Sequence, residues 1–381
     1  MQQHPPPTKE QLDGRELPVH GALDYGELER LDLRPEEIHD FSVNANPYGP
    51  SPVARQALAG LALERYPDRA CLALKRALLR YEIDAQQVGI EWLVCGNGAS
   101  ELIWSIARTF LYPGAAVAQL MPTFGEYQAA SQAVGASVSD CILREEDDFQ
   151  VDIPEVIQWL RRLHPALFWL CNPNNPTGEW LPPMKLRELA RACAELGTLL
   201  VIDESYRHFL FPAEEETALE LAQEEGQVIV LRSLTKDFAL AALRIGYAVA
   251  PPELAAKLAT NLPAWNVNGA AQVVATAVLA DREHLAHSLQ GLAREREAFF
   301  GALQGLGCRV VPTRTHYALV RVGNARQLRE ALLQGGLLVR DCTSFGLPQY
   351  IRVATRQAHE WSRLAGALGV LQSEEKELWE N

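Results

Sequence analysis

Short apolar runs recur through the first two thirds of the chain, at 92–95, 115–120, 166–171, 198–203, 228–231 and 245–250. Segments with helical periodicity, such as 152–163 and 183–196, stand between several of them. An unbroken apolar run of four to six residues fits a strand buried on both faces, and that burial requires helices above and below it. The alternation therefore predicts the α/β class: a mostly parallel central sheet covered by helices. With 381 residues, 48 % of them apolar, the chain can bury a large domain and a smaller companion.

Flanking regions divide the rest. Residues 1–17 are proline-rich and polar, and they predict a mobile arm. The segment 18–47 is expected to join a small domain, 48–262 to form the large ligand-binding domain, and 263–381 to form the small α+β domain. Helices are predicted at 52–63 and 70–81, then two or more across 267–305. Strands follow at 308–311, 316–322, 337–340 and 350–353, with helices at 325–334 and 357–371 and a charged, frayed tail.

The formal net charge of −13 argues against a nucleic-acid partner, which would call for a basic face. Neither a signal peptide nor a membrane-spanning apolar run is visible, so a cytoplasmic protein is expected. Seven scattered cysteines without a C-x-x-C pair predict reduced thiols and no metal site.

In an open parallel sheet, ligands bind beyond the carboxyl ends of the strands, so the residues just after each run are the informative ones. After the first run, Gly96, Gly98, Ala99 and Ser100 make a tight turn into a helix, where free backbone N–H groups suit a phosphate. After 166–171, two X-Pro steps stiffen the loop that carries Asn175. Asp203 ends the run 198–203, with Tyr206 three residues on. Lys236 lies between hydroxyls and Arg244, following Ser233 and Thr235. Taken singly, each fits a plainer role: a solvated lysine, a rigid β-to-α connection, an N-cap carboxylate. Together they supply what pyridoxal phosphate needs: a phosphate cradle, an acid for the ring nitrogen, donors for the ring hydroxyl and a lysine able to form a Schiff base.

In order and spacing, Tyr66, Gly98-Ala99-Ser100, Phe124, Asn175, Asp203, Tyr206, Ser233, Lys236 and Arg244 resemble the fold-type-I pyridoxal-phosphate aminotransferases of class I and II. The resemblance covers nearly the whole chain beyond residue 18. It implies that Lys236 is the covalent anchor and proton carrier, that Asp203 pairs with the ring nitrogen, and that Asn175 and Tyr206 bond the ring hydroxyl. It further implies that Phe124 stacks on the ring, and that Gly98, Ala99, Ser100, Ser233 and Arg244 hold the phosphate. Tyr66 would reach the neighbouring subunit's cofactor, which makes the expected assembly a homodimer with shared sites.

Arg352 and Arg340 match the positions where relatives grip an anionic substrate, and two arginines suit a small phosphorylated amino acid or amine. His20 with Gly21, then Asn44 in the stretch Phe41–Gly49, resemble the threonine-phosphate decarboxylase of cobalamin biosynthesis. On that ground decarboxylation of L-threonine O-3-phosphate to (R)-1-amino-2-propanol phosphate is expected first, with histidinol-phosphate transamination as the alternative and a non-catalytic binding module behind both. Ala22 in place of a second glycine, and the absence of proline-glycine before Leu243, depart from the decarboxylase pattern. A nicotinamide-dependent dehydrogenase is disfavoured because the glycine spacing is not that of a dinucleotide turn.

Overall fold

The computed structural model describes residues 19–83, 88–214, 216–374 and 379. The arm expected at 1–17 and most of the charged tail beyond 374 lie outside the described residues. The strands, numbered in chain order, are β1 (His39–Asp40), β2 (Leu93–Gly96), β3 (Ala116–Met121), β4 (Ser137–Ile142), β5 (Leu167–Cys171) and β6 (Leu199–Asp203). They continue with β7 (Val228–Ser233), β8 (Gly246–Val249), β9 (Tyr317–Arg321), β10 (Leu337–Leu338), β11 (Arg340–Asp341) and β12 (Tyr350–Ala354).

Seven strands form one sheet in the order β2-β8-β7-β6-β5-β3-β4. The pairs β3–β4, β3–β5, β5–β6 and β6–β7 are parallel, whereas β8 runs antiparallel to both β2 and β7. Strands β5, β6 and β7 are buried along their whole length, which is why they read as unbroken apolar runs. Alternate residues of β6 serve opposite faces: Leu200 and Ile202 join one core cluster, Leu199 and Val201 the other.

Helices close both faces. Leu102, Ile103 and Ile106 of the helix Ala99–Phe110 pack on one side. Val156 and Leu160 of the helix Ile153–Leu163, with Leu186 and Leu189 of Pro183–Leu196, pack on the other. Each such fully buried side chain stabilises the sheet by about 1.5–3 kcal/mol relative to exposure.

A second, antiparallel sheet has the order β11-β12-β9, and β1 pairs in parallel with β10. Its core gathers Phe41, Phe299 and Leu303 with Leu364 and Leu368 of the helix Ala358–Glu374. The helical stretch after 262 resolves into Gly269–Ala280 and Arg282–Gly305.

Four local expectations need correction. The helix predicted at 52–63 is only Val53–Ala59, because the chain leaves the helix at Gly60. The strand predicted at 308–311 is a single bridge, Val310 to Val320. The run 337–340 is two strands in different sheets, parted at Val339. Strand β4 and the helix Pro252–Thr260 were not foreseen: β4 is a sheet edge whose residues are all exposed or half-buried, so it carries no apolar run.

Candidate active site

Because β5, β6 and β7 are parallel, their carboxyl ends meet at one edge of the sheet, and the second sheet packs across it. Between them lies a cavity of about 390 Å³. Ala99, Ser100, Phe124, Asn175, Asp203, Tyr206, Ser233, Lys236 and Arg244 line it from the large sheet's side. His20, Asn44, Arg340 and Arg352 line it from the N-terminal segment and the second sheet. Gly98 and Tyr66 stand outside that lining.

At one end, Gly98 takes φ +83, and a Cβ there would come within 2.7 Å of the Arg244 guanidinium. A Cβ on Gly246 would meet the Ala99 backbone nitrogen at 2.7 Å. Two glycines thus let the first turn of the helix Ala99–Phe110 and the arginine close on the same space, a cradle of N–H dipoles and positive charge suited to phosphate. Ser233 Oγ lies 2.6 Å from Thr235 Oγ1, and the Thr235 N–H donates back to Ser233 Oγ at 3.2 Å.

At the other end, Asp203 is 4 % exposed. Its Oδ2 accepts the Tyr127 hydroxyl at 2.8 Å and its Oδ1 the Ser205 N–H at 2.9 Å. Burial pushes its carboxyl up from the usual carboxylate range, while Ser205 and Tyr127 hold it down. A cation above it would relieve that cost. Tyr127 is itself stacked on Trp169, with ring centroids 5.2 Å apart, and Phe124 meets Tyr127 edge-on at 5.7 Å.

Lys236 follows β7. Its backbone carbonyl accepts the Asn46 N–H at 2.8 Å, which ties the lysine loop to the N-terminal segment. Burial, then the positive charges of Arg352 and Arg244, lower its amine to about 8. A fraction of the amine is therefore free near neutral pH, far more than at an ordinary lysine, as carbonyl addition requires. Tyr206 is pushed up to about 12 by burial, against the pull of Arg352, so its phenol stays protonated and can donate.

Arg352 donates to Asn175 Oδ1 and to the Ser42 carbonyl. Its Nε is buried with no hydrogen-bond partner among the described residues. Arg340 donates to the Val19 carbonyl at 2.7 Å, to Ser344 Oγ at 2.6 Å and to the Asp341 carbonyl at 2.8 Å. Burial, then Arg352, lower it to about 10. Two guanidiniums so placed, each mostly withdrawn from water, favour an anion between them.

His20 Nε2 donates to Glu126 Oε1 at 2.7 Å, and its ring centroid lies 5.5 Å from that of Phe124. Tyr66 is 81 % exposed and stacks on Trp265 at 4.7 Å between centroids. Tyr127, Ser205 and Glu126 escaped the sequence reading. For Tyr127 a signal existed, since it lies one helical turn after Phe124, but its partner is 76 residues away.

Residues 36–368 match the model of the family described as aminotransferase class I and II. The chain belongs to that family. Histidinol-phosphate aminotransferase 1 of Thiobacillus denitrificans is 33 % identical over 92 % of this chain and 90 % of its own length. Two solved structures share the fold. The histidinol-phosphate aminotransferase of Sinorhizobium meliloti, in complex with pyridoxal-5'-phosphate, superposes with a TM-score of 0.84 at 24 % identity, covering 96 % of this chain and 98 % of its own. The L-threonine-O-3-phosphate decarboxylase of Porphyromonas gingivalis gives a TM-score of 0.75 at 24 % identity, covering 88 % of this chain and 99 % of its own.

The family's cofactor is pyridoxal 5'-phosphate, and the residues present fit it. Asn44 is 1 % exposed and faces the cavity beside Tyr206, and among the described residues neither of its amide atoms makes a well-formed hydrogen bond, an arrangement that a polar ligand would complete. Ala99 and Arg244 of the cradle, the acid Asp203 and the amine of Lys236 border the same cavity. When bound, the cofactor supplies an electron sink for bonds at the substrate's Cα.

Proposed function

We propose that this family member is an aminotransferase that takes a phosphorylated primary amine, with histidinol phosphate as donor and a 2-oxo acid as acceptor. The observation that carries the reading is the pair Arg340 and Arg352, directly opposed in register on β11 and β12 at the cavity wall. A substrate phosphate, or a carboxylate of the acceptor, would satisfy both. The named relative at 33 % identity supports histidinol phosphate as the donor.

In this reading Lys236 Nζ anchors the cofactor and then, as a neutral amine, moves the Cα proton. Asp203 holds a positive charge on the ring nitrogen, with Tyr127 and Ser205 keeping its carboxylate ionised. Asn175 and Tyr206 orient the ring hydroxyl, and Phe124 covers the ring. Ala99, Ser100, Ser233 and Arg244 hold the cofactor phosphate. Arg352, Arg340 and Asn44 orient the substrate. The exposed stack of Tyr66 on Trp265 supports a homodimer, in which Tyr66 serves the second site. The division into 18–47 with 263–381, and 48–262, belongs to the same proposal.

Decarboxylation of threonine phosphate is the second reading. The segment carrying His20 and Gly21 favours it: a Cβ on Gly21 would lie 2.4 Å from the Ser42 carbonyl, so the segment packs tightly at the cavity mouth. It stood first on sequence motifs, and the curated relative moves transamination ahead of it. A paired assay separates them. Glutamate formed from histidinol phosphate and 2-oxoglutarate supports the proposal; CO₂ released from threonine phosphate, with no such glutamate, overturns it.

A further inference from the structure

A second cluster of charges lies against the lysine loop on the side away from the cavity. Asp237, the residue after Lys236, is 5 % exposed. Its Oδ2 lies 2.6 Å from His208 Nδ1, and its Oδ1 accepts the Phe238 N–H at 2.9 Å. The other imidazole nitrogen, Nε2, faces Glu82 Oε2 at 3.6 Å. His208 is thus held between two carboxylates, one of them adjacent in sequence to the cofactor lysine. Neither His208 nor Asp237 lines the active-site cavity.

The same loop is tied from above. Asn46 receives nothing from Lys236 but donates twice: its backbone N–H to the Lys236 carbonyl at 2.8 Å, and its side-chain amide to the Asp237 carbonyl at 3.0 Å. The backbone of 236–237 is therefore gripped by Asn46 on one side and, through the Asp237 side chain, by His208 on the other. His208 sits two residues after Tyr206, so the pair also links the lysine loop to the turn that carries the tyrosine.

We propose that His208 and Asp237 form a positioning pair that fixes the Lys236 main chain and, through its charge balance, sets the pH at which the lysine–cofactor linkage titrates. The inference rests on the reading of Lys236 as cofactor anchor. The groups facing His208 are the Asp237 and Glu82 carboxylates and the Arg207 guanidinium. Beyond them, Arg232 is paired with Glu204 and close to Tyr247, and Arg282 donates to Glu82 at 2.9 Å. Burial lowers the imidazole's proton affinity, but Glu82 and Asp237 outweigh it and raise His208 above its ordinary value. Burial raises Asp237 against the pull of His208, and in this proposal the pair is an imidazolium and a carboxylate.

That assignment gives two substitutions opposite signs. His208→Gln leaves the Asp237 carboxylate without its cation beside Lys236, which favours the protonated linkage and raises its midpoint. Asp237→Asn leaves an imidazolium still held by Glu82, which lowers the midpoint. Each shift should be about half a pH unit or more, the scale of one charge acting from a neighbouring residue through a high effective dielectric, and H208Q/D237N should return close to wild type.

The experiment is a pH titration of the absorption band of bound pyridoxal phosphate in wild type, H208Q, D237N and the double variant. Opposite shifts, cancelling in the double variant, are the expected result. A band with the same midpoint in all four proteins, or shifts of the same sign in both single variants, overturns the inference while leaving the anchor reading intact. A wild-type protein with no band overturns the anchor reading itself. An NMR titration of His208 in the wild-type holoenzyme, which no misfolding of variants can obscure, should find the ring protonated at pH 7; a neutral ring at that pH also overturns the pair.

Discussion

Tyr127 donates its hydroxyl to Asp203 Oδ2 at 2.8 Å, from the helix Glu126–Ala133 to the end of β6. Both residues are buried, and Trp169 backs the tyrosine ring. The bond lowers the cost of an ionised Asp203, which burial alone raises. Tyr127→Phe removes a hydrogen bond to a charged group, worth about 1.5–3 kcal/mol. Cofactor affinity, measured by fluorescence titration of the cofactor-free protein, should fall roughly tenfold or more. Unchanged affinity would show that Ser205 alone suffices.

Lys236 supplies a pH prediction. With its amine lowered to about 8, the lysine is ammonium below that pH and a free nucleophile above it. The rate of cofactor loading should therefore rise through pH 8 and level off. Arg352→Gln removes a neighbouring positive charge, so the midpoint should move up, toward the ordinary lysine value. A stopped-flow loading profile checks both, and a downward shift in R352Q would contradict the electrostatic account.

Arg340 and Arg352 divide their labour by their partners. Arg340 is engaged with Val19, Ser344 and Asp341, whereas among the described residues Arg352 keeps Nε without a hydrogen-bond partner. Arg352→Lys loses the planar fork and should lower kcat/KM by about 10²-fold or more, since charged hydrogen bonds are each worth about 1.5–3 kcal/mol. Arg340→Lys should act more on KM, because it also releases the Val19 segment. Steady-state kinetics with the phosphorylated donor separates the two patterns.

Away from the chemistry, Arg232 and Glu204 form a buried pair, with two guanidinium nitrogens at 3.0 and 2.9 Å from Glu204 Oε2. Arg232→Met leaves Glu204 buried without its cation and should cost about 3–5 kcal/mol. Denaturant unfolding measures it. A loss below 1 kcal/mol would mean that Thr217 and the Ala218 N–H, which also donate to Glu204, together with the nearby Arg207 charge, carry that carboxylate.

Much of this was visible in the sequence because the sheet is buried on both faces. Apolar β5, β6 and β7 announce themselves, and the polar residues at or just beyond their ends, Asn172, Asp203 and Ser233, must then share one edge. Edge strand β4 was hidden because Ser137 and Asp140 give it no apolar run. The split between β10 and β11 was hidden because Leu337–Asp341 looks continuous until two sheets compete for it. In the site, residues that act through their neighbours in sequence were legible. Tyr127 and Glu126 were not: their partners, Asp203 and His20, are brought to them only by tertiary packing.

Whether Lys236 is the covalent anchor of the cofactor is read out by borohydride reduction of the pyridoxal-phosphate-loaded protein followed by peptide mass spectrometry. The pyridoxyl mass should fall on the peptide that contains Lys236 and disappear in Lys236→Ala. The same mass on another lysine, or on none, would contradict that role.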